Sequence, residues 1–183
     1  HLANLQPGQH ILINGASGSL GTAAVQLAKY LGARVTAVCS TRNLGLVRAL
    51  GADEVIDYTR KDFTKGTETY DFIYDTVGKS SFNACKPVLK GNGQYLCPVL
   101  GLPLLLQMMK TNISGGKKAV FAATGLRPDE ELRGMLKELI EIYEAGKLKM
   151  VIDRQYPLEK LAEAHTYIAA GRKKGNVVIT SAE

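Results

Sequence analysis

A doubly wound α/β fold, with a six-stranded parallel sheet and helices on both faces, is what this 183-residue sequence predicts. Three observations predict it. Short apolar runs alternate with stretches of helical periodicity. The joints between them are short and rich in glycine. A three-glycine turn links the first run to the first helical stretch. Parallel strands need crossover connections, and right-handed crossovers lay helices on both faces of the sheet.

The elements follow in order. Gln9–Asn14 is an apolar run closing on Gly15, as a strand buried on both faces does. Leu20, Ala23, Ala24, Leu27, Ala28 and Leu31 recur at helical spacing and predict one buried helix face, with Gly32 as its C-terminal cap. Val35–Val38 reads as the second strand, and Leu44–Leu50 as a helix ended by Gly51. Glu54–Asp57, Phe72–Asp75, Gln94–Cys97 and Ala119–Ala122 complete the six strands, with a helix over Ser81–Leu89 shortened by Pro87. The tail differs. Asp129–Ala145 predicts a long amphipathic helix with Leu132, Leu136, Leu139, Ile140 and Tyr143 on its apolar face. Beyond Gly146 come a strand (Val151–Tyr156), a helix (Leu158–Ala170) and a last strand (Asn176–Thr180).

Composition excludes several classes. With 45% hydrophobic and 22% charged residues the chain reads as one ordinary globular domain. Its apolar stretches, such as Val99–Leu106, are too short to span a bilayer, so no membrane partner is expected. The opening His1-Leu2-Ala3-Asn4-Leu5 lacks a methionine and reads as the end of a helix, which predicts a piece of a longer protein. Cys39, Cys85 and Cys97 have no paired spacing, which fits a reducing, cytoplasmic setting. The net charge of +6 is dispersed. Only Lys117-Lys118 and Arg172-Lys173-Lys174 cluster, without interleaved aromatic residues, so nucleic acid is not the expected partner. The basic residues read as solvated surface, with attraction of a phosphate-rich cofactor as the functional alternative.

Gly15, Gly18 and Gly21 stand three apart between the first strand and first helix. Glycine permits positive φ and close backbone approach, and the turn ends at a helix N-terminus where N–H groups and the dipole favour an anion. A pyrophosphate is the expected guest. The spacing departs from G-x-G-x-x-G in having Ala16 at the first position, and no Gly-Lys-Ser/Thr follows, which excludes a nucleoside-triphosphate loop. NAD-binding versions carry an acid about 20 residues further on. This chain instead has Ser40-Thr41-Arg42-Asn43, with donors and a guanidinium suited to a 2′-phosphate. The residues therefore favour NADP(H) over NAD(H). Because six strands already complete such a fold, residues 1–150 are expected to form the NADP(H)-binding domain, with residues 151–183 as a C-terminal segment.

Pro7-Gly8-Gln9 through Gly21, then residues 28–35 (Ala-Lys-Tyr-Leu-Gly-Ala-Arg-Val) and 50–58 (Leu-Gly-Ala-Asp-Glu-Val-Ile-Asp-Tyr), resemble the medium-chain dehydrogenase/reductase superfamily. With residues 151–159 and 175–180, they are most similar to its zinc-independent quinone oxidoreductase branch. The resemblance implies an absent N-terminal GroES-like catalytic domain of roughly 120–140 residues, a size within the usual domain range. Residues 151–183 would pack on that domain and otherwise stay partly exposed. The resemblance implies that Gly18, Ser19 and Leu20 face the pyrophosphate, and that Ser40, Arg42 and Tyr58 surround the 2′-phosphate. Asp75, Thr76, Val77 and Gly78 would lie along the ribose. Val99, Leu100 and Gly101, with Phe121, Ala122 and Ala123, would flank the nicotinamide. Many members carry lysine where this chain has Asn43, so the NADP preference rests on Arg42. The implied activity is hydride transfer from NADPH to a quinone or conjugated carbonyl, this chain alone being inactive. The alternatives are the cofactor domain of a zinc-type alcohol dehydrogenase, or a non-catalytic NADP(H)-sensing or interaction module. A homodimer through the Ala119–Ala122 edge strand is also implied.

Other signals carry less. Tyr143 and Lys147 have Tyr-x-x-x-Lys spacing, but Tyr143 falls on the apolar face and is expected to pack there. Three scattered cysteines and three scattered histidines offer no zinc set. His165, at helical spacing with Leu161 and Ile168, is expected to be packed, and Cys97 to be a structural thiol. No catalytic residue or proton donor is assigned.

Overall fold

The computed structural model describes residues 3–123, 125 and 127–181. The predicted sheet is present. Strands β1 (His10–Asn14), β2 (Arg34–Cys39), β3 (Glu54–Asp57), β4 (Tyr70–Asp75), β5 (Leu89–Cys97) and β6 (Lys118–Phe121) are all parallel, in the order β3-β2-β1-β4-β5-β6. The order reverses between β1 and β4, and that switch point is where such sheets open a crevice at their C-terminal ends.

The period-2 alternation of strand side chains divides the interior into two cores. Ile11, Ile13, Val35, Ala37 and Phe72 face helices α1 (Ser19–Tyr30) and α2 (Leu44–Ala49), where Val25, Ala28 and Val47 meet them. Leu12, Val38, Ile73 and Tyr95 face the other way, onto Phe82 and Cys85 of α3 (Phe82–Cys85). Leu104 and Met108 of α4 (Leu102–Ser114) pack against this second core.

Several expectations are corrected. The buried face of α1 is Gly21, Thr22, Val25, Gln26 and Ala28, while Leu20 and Leu31 are exposed. The helix comes so close to the turn that a Cβ at Gly21 would lie 2.2 Å from the Gly15 carbonyl oxygen, which turns the small residues inward. The Ser81–Leu89 helix is one α-turn followed by a 3-10 turn over Lys86–Val88, because Pro87 enters there. Helix α4 was not foreseen. Its leucine run is apolar all round and hides its periodicity, while Pro103 stands in the first turn, where a missing N–H costs nothing. Ala3–Leu5 are not helical, and His1 and Leu2 of that expectation lie outside the described residues.

Helix α5 (Asp129–Glu144) forms as predicted, but Leu136, Leu139, Ile140 and Tyr143 are exposed and the buried residue is Ile142. Tyr143 therefore does not pack, because α5 makes no extensive contact with another described element. Strands β7 (Ile152–Pro157) and β8 (Asn176–Thr180) pair parallel in a separate two-stranded sheet, crossed over by α6 (Leu161–Ala169). His165 is exposed on α6 rather than packed, since Ala164 is the residue α6 buries. Ile152, Leu158, Leu161 and Ile168 are likewise exposed.

Candidate functional site: a dinucleotide cleft at the glycine turn

A cleft of about 670 Å³ opens at the sheet's switch point, lined by Gly15, Gly18, Ser40, Arg42, Asn43, Tyr58 and Val77 among the predicted residues. The three glycines differ in role. Gly15 has φ +79°, and a Cβ there would lie 2.3 Å from Val77 Cγ2. Gly21 is required by the contact with the Gly15 carbonyl. Around Gly18 the nearest atom to a Cβ is Gly15 O at 3.5 Å, so the fold leaves space there. Gly18 caps α1 without a side-chain hydrogen bond, and the first turn carries no acid. The N-terminal N–H groups of α1 thus keep their positive end towards the cleft.

The turn is tied to the strand beside it, since Gly15 N and Ala16 N donate to Val38 O at 3.1 and 3.0 Å. Asn43 is buried, and its amide donates to Ser17 Oγ at 2.8 Å and to Ser40 Oγ at 3.4 Å. Its Oδ1 is buried without a partner. Its amide is thus spent on bracing Ser40 against the glycine turn rather than offered to a phosphate. Thr41 also turns away, donating to Asp57 Oδ2 at 2.5 Å. Hydrogen bonds from Thr41 and Thr59 hold the Asp57 carboxyl below the usual carboxylate range. Arg42 is exposed at the cleft, and its guanidinium donates to Arg172 O at 3.4 Å.

Asp75 departs most from its expected place. It is fully buried and accepts from Asn14 Nδ2 (3.0 Å), Val77 N (3.2 Å), Gly78 N (3.0 Å), Ser80 N (2.9 Å) and Tyr95 Oη (2.9 Å). Burial, and then the adjacent Asp75, push the Tyr95 hydroxyl far above its ordinary range, so it remains a donor. The carboxylate shapes the 75–80 turn, and both of its oxygens are engaged within the protein. Thr76 donates to Asn14 O at 2.8 Å, and Val77 alone of this stretch lines the cleft. Gly78 has φ +69° and packs on Val99. Leu100 and Gly101 follow β5, and Phe121, Ala122 and Ala123 end β6 or follow it, all beyond the 670 Å³ cleft. Ser19 and Leu20 begin α1, next to the cleft-lining Gly18, and are not themselves among the lining residues.

Sequence reasoning missed most of the wall. Lys61, Phe63 and Thr64, from the connection after β3, face Lys79 and Ser80. Gly171 and Lys173 close the cleft from the C-terminal segment. The rule that ligands bind beyond the carboxyl ends of parallel strands points to the first group. No local signal points to the second, which lies some 150 positions from the turn it touches.

Zinc does not fit these residues. Among the described residues no three His, Cys, Asp or Glu side chains form a group able to hold a metal ion. Cys39 borders the cleft, but burial pushes its thiol up to about 11, and burial does the same to Cys85. His10 is buried with Nε2 2.8 Å from Thr36 Oγ1.

A family model described as zinc-binding dehydrogenase matches residues 50–179. The chain belongs to that family. The mouse protein named NAD(P)H oxidoreductase RTN4IP1, mitochondrial, is 35% identical across 94% of this chain and 48% of its own length. The quinone-oxidoreductase QR1, chloroplastic, of Triphysaria versicolor is 34% identical across 94% of this chain and 53% of its own. The quinone oxidoreductase structure from Pseudomonas syringae pv. Tomato DC3000 superposes with a TM-score of 0.80 at 28% identity, covering 97% of this chain and 58% of that one. This zinc-binding dehydrogenase chain therefore spans about half the length of the relatives it matches. Its resemblance to the quinone oxidoreductase branch of the medium-chain superfamily, read from the ordered motifs, is borne out.

Proposed function

We propose that the chain is the NADP(H)-binding half of an oxidoreductase that transfers a hydride to a quinone or conjugated carbonyl. The observation that carries the reading is the N-terminus of α1, which has no side-chain cap and leaves space for a group beside Gly18, at a 670 Å³ cleft bordered by Arg42 and Tyr58. The NAD(P)H and quinone in the relatives' names support it. When bound, the dinucleotide supplies the hydride from its nicotinamide. The protein's part is orientation and charge.

In this reading Gly15, Gly18 and Gly21 shape the turn, while Ser19 and Leu20 begin the helix that receives the pyrophosphate. Ser40, Arg42 and Tyr58 bind the 2′-phosphate, with Thr41 and Asn43 holding their loop in place. Asp75 and Thr76 fix the turn that presents Val77 and Gly78. Leu100, Gly101, Phe121 and Ala122 form the nicotinamide end, which residues outside this chain complete. We take residues 1–150 as the cofactor domain and residues 151–183 as the segment that meets an N-terminal catalytic domain. The exposed apolar residues of α5 and of the β7–β8 unit support that assignment.

A second copy is assigned to the other free surface. Strand β6 is the sheet's edge, and α4 beside it exposes Leu102, Leu105, Leu106, Met109 and Ile113. The Ala119 N–H is taken by Thr111 Oγ1 at 3.3 Å, so pairing across a two-fold axis is left to the Phe121 end of β6 and to the α4 stripe. Three free, buried cysteines support a reducing compartment, which we take as the cytoplasm. No described helix is long and apolar enough to cross a membrane.

Calorimetric titration tests the cofactor reading. NADPH binds more tightly than NADH, and Arg42→Ala weakens NADPH about tenfold or more while leaving NADH unchanged, as loss of a charge-assisted hydrogen bond requires. Equal affinity for the two dinucleotides in the unsubstituted chain overturns the NADP assignment.

A further inference from the structure

The dipeptide Asn-Gly occurs twice in the chain, at Asn14-Gly15 and at Asn92-Gly93. It is the pair most open to attack by a backbone nitrogen on the preceding side-chain amide, because glycine sets no Cβ beside that nitrogen and leaves the joint free to rotate. The two copies sit in opposite settings. Asn14 lies in the central strand β1, paired with Val38 of β2 and Asp75 of β4. Its Nδ2 donates to Asp75 Oδ1 at 3.0 Å, and the nitrogen that would attack, Gly15 N, is held on Val38 O at 3.1 Å. Both partners of that reaction are tied down.

Asn92 is exposed, and its amide has no hydrogen-bond partner among the described residues. Tyr70 pairs with Leu89 and Phe72 with Gln94, so residues 90–93 of β5 stand opposite Asp71 alone. Pairing with β6 begins only at Gln94, opposite Lys118. Residues 90–93 thus bulge from the sheet, in register with neither neighbouring strand. Glycine stands on both sides of Asn92, and a Cβ at Gly91 would meet open space. The bulge has the freedom to bring Asn92 Cγ onto Gly93 N while the ladder at either end stays paired. Its surroundings are basic. Lys90 Nζ lies 2.6 Å from Asp71 Oδ2, Lys117 Nζ donates to Lys86 O at 2.7 Å, and Gly116 approaches the Gly91 carbonyl. Cations there favour the anionic oxygen that forms during attack and the carboxylate that remains after it.

We infer that Asn92 is a site of spontaneous deamidation, at the end of the sheet away from the cleft. Gly93 N bonds to Asn92 Cγ, the Cγ–Nδ2 bond breaks, and Nδ2 leaves as ammonia with the proton from Gly93 N. One water then opens the succinimide. Its attack at Cγ gives aspartate on an unaltered main chain. Its attack at the Asn92 carbonyl carbon gives isoaspartate, with the main chain running through Cγ. Either product sets a carboxylate among Lys86, Lys90 and Lys117 and lowers the net charge of +6 by one. The longer main chain of isoaspartate is absorbed where it forms, because no register pair falls within residues 90–93.

The test incubates the folded 183-residue chain at mildly alkaline pH and maps its tryptic peptides by mass. The peptide of residues 91–110 acquires the mass of one deamidation and separates into aspartate and isoaspartate forms, with a matching acidic shift on ion exchange. The peptide of residues 1–29, which holds Asn14, reacts at least about tenfold more slowly, because the Asp75 and Val38 hydrogen bonds must open first. Unfolding in urea removes most of that difference. Asn92→Ser abolishes the change in residues 91–110, which assigns it to Asn92 rather than to Gln94 or Gln107. An unmodified 91–110 peptide from the folded chain overturns the inference, as does equal reaction of Asn14 and Asn92 in that state. A mass change that survives Asn92→Ser overturns it too. A difference that persists in urea assigns the contrast to local sequence, and the structural argument falls.

Discussion

At the scale of single residues, side chains that look alike in sequence take opposite duties. Arg42 and Asn43 are adjacent, yet one is exposed at the cleft and the other is buried as a brace between Ser17 and Ser40. Asp75 turns inward to five donors, a use that follows from its position at the end of a central strand, where an unpaired carboxylate is expensive. His10, at the opposite end of the sheet, makes a pH prediction. Burial first, and then Arg34, lower its pKa from 6.5. The unfolded chain therefore binds more protons between the folded value and 6.5, and stability falls as pH drops through that window. Urea unfolding followed from about pH 7 to about pH 5 shows this decline, and His10→Gln flattens it. An unchanged slope in the variant refutes the assignment.

Elements follow the sequence where periodicity is local and depart from it where their covering is remote. Helix α1 forms where its pattern predicts, but the facing residues are selected by the close approach at Gly21, which no periodicity encodes. Helix α5 keeps its predicted boundaries and leaves its apolar face open, because a hydrophobic stripe records that a partner exists without supplying one. Helix α4 escapes sequence reading because its leucines point in every direction, inward at Leu104 and outward at Leu102. Its outer stripe makes the oligomer testable. Sedimentation velocity at tens of micromolar (about the usual range for such runs, well above typical dissociation constants) gives a dimer. Ile113, 89% exposed, is a position where glutamate disturbs no core. Ile113→Glu shifts the population towards monomer with Tm unchanged, and a monomeric unsubstituted chain refutes the interface.

The whole molecule joins a six-stranded sheet to a two-stranded C-terminal unit along a seam that includes the Ser17–Ser19 turn against Gly175 and Arg42 on the Arg172 carbonyl. A ligand at that seam stabilises both parts, since it binds the folded state alone. NADPH at one hundred times its Kd contributes about 2.7 kcal/mol, which raises Tm by about 5–10 °C for a chain of this size. Calorimetric scanning measures it, and no shift at saturation refutes binding. Under the proposed function the same NADPH-loaded chain does not reduce added quinone, followed by NADPH absorbance, because that proposal leaves the nicotinamide end to be completed by residues outside it. Turnover by this chain alone refutes that division of labour.

The sequence by itself determined the doubly wound parallel sheet and the location of the glycine turn at its first strand–helix joint. Those features are written in short-range signals: alternation within each strand, glycine at a strand–helix joint, and the absence of an acid after β2. It also singled out Arg42, which is adjacent in the chain to the strand end that presents it. Only the tertiary structure decided that Asp75 is a brace, that Asn43 is spent internally, and that Lys173 stands over α1. Each of these depends on groups distant in sequence, and a side chain's role is set by which partners fold within hydrogen-bonding reach. No pattern along the chain carries that distance.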